Sequence, residues 1–159
     1  AEDGIRDSVA SRGLGDVYKR QIMEVASEQK QSFELFGDDY NTPDGTGIRD
    51  YIHVTDLASA HLLALDYLQS HHCLTVNLAA GESHSVLDVV KMAKTVTNRE
   101  IPYKVVDRRP ADPAELLATS KFAQETLGWK PKHSNLEEIL LSMWKVYQHH
   151  FVKKPEILA

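Results

Sequence analysis

The sequence predicts an α/β fold, with a small sheet and flanking helices, on three observations. Segments with helical periodicity alternate with short β-type segments along the 159 residues. Few of these segments are strands, so the sheet falls short of a complete doubly wound domain. Hydrophobic residues make up 42% of the chain and charged residues 26%, which is ordinary for a soluble globular protein.

Composition also bounds the class of function. A net charge of −5 argues against a nucleic-acid-binding surface. No apolar run reaches membrane-spanning length, and no signal peptide is visible. The single cysteine, Cys73, excludes an internal disulfide and fits a reducing cytoplasm. We therefore expect a cytoplasmic protein in which Cys73 is a small strand-edge residue rather than a nucleophile.

Residues 1–21 differ from the rest of the chain. Gly4, Gly13 and Gly15 are mixed there with alternating charges, and neither a helical nor a strand period is sustained. We expect disorder or an arbitrary conformation in this segment. We interpret it as a non-native extension, such as a sequence-assembly artefact, and the alternative is a frayed native terminus.

The first half of the remaining chain is predicted to run helix, strand, loop, helix. Residues 22–28 form an amphipathic helical segment, and residues 33–36 alternate as a strand that stops at Gly37. A second helix carries an apolar stripe on Leu57, Ala60, His61, Ala64, Leu65 and Leu68. We expect His61 to be a packed histidine on this stripe rather than a ligand.

The second half is predicted to contain two strands, residues 74–78 and 103–106, and three helices. Polar residues mark the helix starts: Ser85 with Asp88, Ser120, and Asn135 with Glu138. The core-facing residues of the first and last of these helices are Val86, Val89, Val90, Ala93 and Val96, then Ile139, Leu140, Met143 and Tyr147. Gly128 ends the middle helix, and residues 151–159 are expected to form a loose tail.

The densest motif spans residues 44–56. Gly45 and Gly47 permit positive φ and close approach of the backbone to a ligand. Arg49 offers a planar fork of donors suited to a pair of phosphate oxygens. The next residues favour a strand, and Thr55 or Asp56 could cap a helix, so the order reads loop, arginine, short strand, helix. The alternative is a hairpin-like turn with a surface arginine.

Four stretches agree in order and spacing with one known family. They are residues 36–57, Asn77-Leu78 with residues 85–90, residues 108–113, and residues 127–131. As a set they resemble the UDP-glucose 4-epimerase family of the extended short-chain dehydrogenase/reductase superfamily, over about residues 22–148. The resemblance implies that residues 22–150 are the C-terminal, nucleotide-sugar-binding portion of such an enzyme.

Two motifs expected of that superfamily are absent from the sequence. A glycine-rich turn that carries a dinucleotide is not found, since Gly45-Thr46-Gly47 continues with the wrong residues. None of the six tyrosines is followed four positions later by lysine. We therefore expect the NAD-binding Rossmann half and the catalytic tyrosine to lie upstream of this chain. The isolated chain is then expected to be inactive.

For the complete enzyme, the resemblance implies an isomerase of galactose metabolism with NAD as cofactor. NAD⁺ takes hydride from C4 of the UDP-hexose, and the 4-keto sugar swings about the diphosphate to receive it on the other face. Such motion requires a firmly held UDP and a loosely held sugar. We expect this chain to supply the hold on UDP.

The resemblance also implies roles for eight substrate-binding residues. Uracil is lined by Glu34, Leu35 and Phe36; the diphosphate is bound by Arg49 and Arg109; Asp112 holds the ribose hydroxyls; Tyr51 and Leu116 complete the set. The alternative for Arg109 is a loop salt bridge with Asp107 or Asp112. Leu116 matches a position that gates the sugar pocket, and an aliphatic group there would admit N-acetylated sugars.

One departure from the family pattern is Ala111, where glycine is usual. If that position requires positive φ, alanine is strained there. The glycine-rich turn is also thinner after Leu78, where Ala79 and Ala80 stand.

The expected partner is a UDP-hexose, with no nucleic acid and no membrane, and a homodimer is one expectation for the parent enzyme. No zinc-type spacing and no Gly-x-Ser-x-Gly elbow occur, and the paired histidines are read as solvated. Two alternatives stay open. One is a fragment of a related nucleotide-sugar dehydratase or decarboxylase, and the other is a non-catalytic UDP-sugar-binding module.

Overall fold

The computed structural model describes residues 14–150 of the chain. These residues form five helices and five strands. In chain order they are α1 (Leu14–Ala26), β1 (Phe33–Phe36), β2 (Ile48–Asp50), α2 (Val54–Leu68), β3 (Ser83–Ser85), α3 (Val86–Thr97), β4 (Tyr103–Val106), β5 (Glu115–Leu116), α4 (Lys121–Leu127) and α5 (Leu136–His150). The predicted α/β class is confirmed.

The strands form two small sheets rather than one. In the first, β1 and β4 pair in parallel, with Phe33 opposite Tyr103. In the second, β2 lies in the centre, antiparallel to β3 and parallel to β5. Arg49 is the middle residue of β2, so it faces His84 on one side and Leu116 on the other.

The main core lies where α1, α3 and α5 pack on one another and α1 packs on β1. Its fully buried side chains include Ile22, Met23, Leu35, Val89 and Leu140. Burial of each such side chain stabilises the fold by about 1.5–3 kcal/mol relative to exposure. The core therefore fixes β1, and with it one wall of the candidate site described below.

A second, smaller core surrounds Trp129. Its ring packs with Ala60 of α2 and Ala123 of α4, and its indole N–H donates to the Asp56 carbonyl at 3.0 Å. The Asp56 carboxylate is buried and accepts from the backbone N–H groups of Lys132 and His133. This carboxylate therefore joins α2 to the segment before α5.

The predicted start of the first helix, at residue 22, is wrong. Helix α1 starts at Leu14, so residues 14–21 do not have the arbitrary conformation expected for residues 1–21. Tyr18 is 4% exposed and lies in the main core beside Ile22. An amphipathic register shared by 18, 22 and 25 explains the helix. Residues 1–13 and the predicted tail, 151–159, lie outside the described residues.

The start of α2 also differs from the expectation. The predicted caps were Thr55 or Asp56, but the N-cap is His53, whose Nδ1 accepts from the Thr55 N–H at 3.0 Å. A histidine ring nitrogen can replace the usual oxygen acceptor at this position. Because the helix begins earlier, Asp56 is free to accept bonds from the segment before α5.

The predicted apolar stripe of α2 is only partly buried. Ala60 is buried, but Leu65 and Leu68 are 63% and 40% exposed, and His61 is exposed too. The prediction of a packed His61 is wrong, since its Nδ1 lies 2.7 Å from the Leu57 carbonyl oxygen on the helix surface. Periodicity identified the helix, but it did not identify the neighbours that cover the stripe.

Residues 74–78 are not a strand in the described part of the chain. Their exposure alternates as a strand's would, with Val76 and Leu78 packed towards Trp129 and the residues between them exposed. What is missing is a partner strand among the described residues. An extended segment without a ladder is not counted as a strand.

Four predicted helix ends can be checked against the structure. The capping box of α3 is confirmed, since Ser85 accepts from Asp88 N–H and Asp88 accepts from Ser85 N–H. Gly128 ends α4 with φ +65°, as predicted, but Ser120 makes no side-chain capping bond. Asn135 accepts from the N–H of Glu138, whose own side chain turns to His133 instead.

Within the described residues, no helix combines the length and apolar character needed to cross a bilayer.

Candidate functional site

The loop between β1 and β2 is held in one shape by its own polar groups. Gly45 has φ +78°, and a Cβ there would lie 1.9 Å from the Asp38 carbonyl oxygen, so only glycine fits. The Asp44 carboxylate accepts from the N–H and hydroxyl of Thr46, at 3.0 and 2.8 Å, and from the Ser85 hydroxyl. Burial alone would raise the pKa of Asp44, but these hydrogen bonds outweigh it and lower the pKa.

Arg49 extends from β2 into a set of oxygen acceptors and is 5% exposed. Its Nη1 donates to the carbonyls of Ile48 and Ala114, at 2.7 and 3.3 Å. Its Nη2 donates to the Pro113 carbonyl at 2.9 Å and to the Asp112 carboxylate. The alternative of a surface arginine is therefore wrong. The predicted order of arginine before strand is also wrong, because Arg49 lies inside β2.

Asp112 reaches Arg49 from a tight turn. Its N–H donates to the Arg109 carbonyl at 3.3 Å, which closes a four-residue turn. Pro110 in the second position and φ +61° at Ala111 in the third are the marks of a type II turn. Alanine therefore occupies the position that favours glycine. Because this position has positive φ, Ala111 is strained there, as the sequence analysis expects for that case.

Arg109 points from the same turn towards an aromatic ring. Its guanidinium carbon lies 3.7 Å from the centroid of the Phe36 ring and 5.8 Å from that of Tyr18. Among the described residues Arg109 forms no ion pair with Asp107 or Asp112, and Asp112 pairs with Arg49, so the alternative of a loop salt bridge is wrong. A cation over a ring face is attracted by the ring quadrupole, which orients this guanidinium.

Two neighbouring residues, Tyr40 and Arg108, were missed by sequence reasoning. The Arg108 guanidinium lies 4.2 Å over the Tyr40 ring, and its Nε donates to the Asp39 carboxylate at 2.6 Å. A Cβ on Gly37 would lie 2.6 Å from the Arg108 side chain, so glycine permits the approach. The available signal was the position of Arg108 beside Arg109.

Asp112 links these two groups of side chains electrostatically. Burial raises the pKa of the Tyr40 hydroxyl, and the Asp112 carboxylate raises it further, while Arg108 and Arg49 oppose this. Burial also raises the pKa of Tyr18, with Arg109 lowering it and Asp112 raising it. The same carboxylate therefore raises the pKa of both tyrosines.

The other predicted site residues are placed differently. Leu35 and Tyr51 are 1% and 2% exposed, so their side chains belong to the core and only their backbones could meet a ligand. Glu34 is exposed on the opposite face of β1 from Leu35. Leu116 is 54% exposed and lies next to Arg49 across the β2–β5 ladder.

The arrangement can bind an anion beside a flat ring. Arg49 and Arg109 supply cationic donors, Asp112 supplies an acceptor, and Phe36 supplies an aromatic face. In the described part of the chain, no three His, Cys, Asp or Glu side chains are grouped closely enough to hold a metal ion.

Comparison with known proteins gives consistent matches. A family model described as GDP-mannose 4,6 dehydratase matches residues 12–143. The UDP-glucose 4-epimerase of Streptococcus mutans is 46% identical over 124 residues, which is 77% of this chain and 37% of that protein. The family match begins at residue 12, ten residues before the start of the resemblance noted in the sequence, at about residue 22.

Solved structures agree with these matches. The UDP-glucose 4-epimerase of Stenotrophomonas maltophila, crystallised with NAD and formylated UDP-arabinopyranose, superposes with a TM-score of 0.78 at 40% identity. The match covers 83% of this chain and 39% of that one. The UDP-glucose 4-epimerase of Bifidobacterium longum, in complex with NAD⁺ and UDP, superposes with a TM-score of 0.75 at 37% identity. That match covers 80% of this chain and 38% of the other. The chain thus spans a little over a third of the curated relatives.

Proposed function

We propose, because this chain belongs to the GDP-mannose 4,6 dehydratase family, that it forms the nucleotide-sugar-binding portion of a UDP-glucose 4-epimerase. The family membership follows from a match over residues 12–143. The choice of an epimerase within the family is supported by the relatives, which carry that name at 46% and 44% identity.

The observation that carries the proposal is the convergence of Arg49, Asp112, Arg109 and Phe36. Arg49 and Asp112 are bonded to each other, and the turn that carries Asp112 also carries Arg109. Arg109 in turn covers the Phe36 ring. Diphosphate, ribose and base are the three parts of UDP, and the proposed residues offer cations, a carboxylate and a ring.

The energetics favour a diphosphate as the main point of attachment. Each charge-assisted hydrogen bond contributes about 1.5–3 kcal/mol, and the guanidinium fork fixes the orientation of the phosphate. Arg109 is the better placed of the two arginines for this contact, since no described carboxylate pairs with it. The binding energy would then sit away from the sugar carbon that reacts.

The residues of this chain do not fit the cofactor NAD. A dinucleotide is held where a glycine-rich turn leads from a strand into a helix N-terminus. The described glycines with positive φ are Gly37, Gly45, Gly81 and Gly128, and none lies directly between a strand and a helix. In the proposed arrangement NAD and the tyrosine–lysine pair belong to the rest of a longer polypeptide.

Binding of UDP by the full 159-residue chain tests this function. Calorimetric titration should show that UDP binds the wild type and binds Arg49→Ala at least about tenfold more weakly. This is the loss of affinity expected when one charge-assisted hydrogen bond is removed. Arg99→Ala is the matched control, because Arg99 forms an exposed ion pair with Glu28. Circular dichroism checks that each variant folds. If Arg49→Ala does not fold, Arg49→Lys replaces it in the titration. Equal UDP affinity for Arg49→Ala, or for Arg49→Lys in its place, and wild type would contradict the proposal.

Catalysis supplies a second test. Because the tyrosine–lysine pair is absent from the sequence, this chain mixed with UDP-galactose and NAD⁺ should give no turnover. Any turnover would refute the assignment of the chemistry to another part of the protein. A full-length parent should interconvert UDP-glucose and UDP-galactose.

A sister activity is the second candidate, because the matching family model is described as a dehydratase. A nucleotide-sugar dehydratase or decarboxylase would use the same hold on the nucleotide. The assay of the full-length parent separates them, since only an epimerase returns a sugar inverted at C4 with no loss of water or carbon dioxide.

Leu116 is proposed to set the size of the sugar that is accepted. Its side chain is exposed beside Arg49, where an aliphatic group leaves more space than a tyrosine. The full-length parent should therefore turn over UDP-N-acetylglucosamine, and Leu116→Tyr should reduce this while sparing UDP-glucose. Equal exclusion of the N-acetylated sugar by both forms would remove the role of Leu116.

A further inference from the structure

Two residues that the proposed function assigns to different parts of the ligand are bonded to each other. Arg49 is proposed for the diphosphate and Asp112 for the ribose. In the structure Arg49 Nη2 donates to the Asp112 carboxylate, and each side chain is 6% exposed. A buried guanidinium–carboxylate pair persists because separation would leave one charge buried without a partner.

The other donors of Arg49 are nearly all used. Nη1 bonds to the carbonyls of Ile48 and Ala114, and Nη2 bonds to that of Pro113 as well as to Asp112. A phosphate requires two parallel N–H groups for a bidentate contact. Among the oxygens on Arg49 only the Asp112 carboxylate is anionic, so it is the group that an incoming phosphate competes with directly.

We propose that Asp112 occupies the phosphate position on Arg49 when no ligand is bound, and that this competition selects nucleoside diphosphates over inorganic pyrophosphate. The inference rests on the proposed function. A displaced Asp112 needs new donors, because a carboxylate in a half-buried turn is unfavourable alone. Ribose hydroxyls are such donors, whereas pyrophosphate has none to give. Only a nucleotide therefore satisfies both partners of the broken pair.

The turn that carries Asp112 suits this exchange. It is closed by one long bond, 3.3 Å, and contains Ala111 at φ +61°. It also carries Arg109, so release of Asp112 from Arg49 moves the second proposed phosphate ligand at the same time.

The test compares pyrophosphate with UDP by calorimetry on the full chain at fixed ionic strength. Asp112→Asn should bind pyrophosphate about tenfold more tightly than wild type, since the competing charge is removed. UDP should gain less or lose affinity, because the ribose acceptor is weakened. Asp66→Asn, on the exposed surface of α2, removes the same charge elsewhere and should change neither affinity.

Other results would overturn the inference. Pyrophosphate affinity that is unchanged or weaker in Asp112→Asn, or raised equally in Asp66→Asn, contradicts it. Should Asp112→Asn fail to fold, Asp112→Ser gives the same comparison. On the wild type, NMR of the Arg49 Nε–H should show a shift on saturation with pyrophosphate, and no shift contradicts the competition. If UDP itself does not bind, the proposed function fails; if UDP binds through Arg49 and only the pyrophosphate results fail, the inference alone is wrong.

Discussion

At the scale of single residues, Ala111 is one of the positions where a side chain conflicts with its backbone conformation. A positive φ brings the Cβ of an L-residue close to the backbone and costs about 1–2 kcal/mol. Glycine removes this strain but adds about 0.4–1 kcal/mol of chain entropy to the unfolded state. Ala111→Gly should therefore raise the free energy of unfolding by about 0.5–1 kcal/mol, measured by urea denaturation.

The control for that substitution is Ala118→Gly. Ala118 is exposed and lacks a positive φ, so this substitution should lower the free energy of unfolding by about 0.4–1 kcal/mol, through the added entropy of the unfolded chain alone. Destabilisation of the same size at both positions would show that the turn at Ala111 is not strained.

Asp56 is a residue whose charge should matter for stability. Its carboxylate is 2% exposed and accepts from Lys132 N–H at 3.0 Å, His133 N–H at 2.8 Å and the Ser134 hydroxyl at 2.6 Å. In Asp56→Asn an amide NH₂ group faces these N–H and O–H donors, so buried hydrogen bonds are lost. The substitution should lower the free energy of unfolding by about 2–4 kcal/mol. Asp66→Asn, in the same helix but exposed, should cost little.

The pH dependence of this contribution follows from its sign. Burial opposes ionisation of Asp56, but the bonds from Ser134 and the two N–H groups outweigh it, so the folded pKa is lowered. The contribution is therefore fully present above the unfolded pKa of about 3.9 and is lost as the pH falls below it. Acid unfolding curves of wild type and Asp56→Asn should converge at low pH. Parallel curves with a constant gap would contradict this assignment.

What the sequence could not supply at this scale is the partner of each charged residue. Arg49 and Arg109 were singled out as site residues because their motifs are dense in glycine, proline and charge. The ion pair between Arg49 and Asp112 joins residues 63 positions apart. No local pattern encodes such a pair, and the expected partner of Asp112 was a ligand or Arg109.

At the scale of elements, the start of α3 offers a direct comparison between two serines. Ser85 accepts from the Asp88 N–H at 3.0 Å and donates to Asp44, so it connects the helix to the loop before β2. Ser85→Ala should lose about 1–2 kcal/mol of unfolding free energy. Ser120, at the start of α4, makes no capping bond, and Ser120→Ala should lose about 0.5 kcal/mol.

Thermal denaturation would rank the two variants, and Ser85→Thr should recover most of the loss because it keeps the hydroxyl. Equal losses for both alanine variants would mean that the α3 cap adds nothing.

Elements were predictable where the signal is local. The strands at residues 33–36 and 103–106 and the box at Ser85 depend on alternation and on residues three apart. Element β2 was misplaced because its three residues, Ile48–Asp50, are a strand only through their pairing with β3 and β5. Residues 74–78 show the converse case, since their alternation is present and their partner is not.

At the scale of the whole molecule, one surface is unusually apolar. Leu62 and Leu65 of α2 are 65% and 63% exposed, and Val54 at its start is 72% exposed. The extended segment 74–78 lies alongside this helix and borders a groove of about 330 Å³ with Ala60, Ala64 and Leu68. In the proposed function these surfaces would meet the remainder of a longer protein, since this chain spans 37% of a curated relative.

An apolar face of this kind should make the isolated chain self-associate. Exposed apolar patches on a soluble monomer favour association, and a segment with free backbone groups adds strand pairing to it. The double variant Leu62→Lys with Leu65→Lys places two charges on the face and should lower the associated fraction in sedimentation velocity. Helical content should stay unchanged, because lysine is a good helix former and both positions are exposed. Leu141→Lys, an equally simple change on α5 at 40% exposure, should leave association as it is. If Leu141→Lys disperses the chain as well as the α2 variant does, net charge rather than this face controls association.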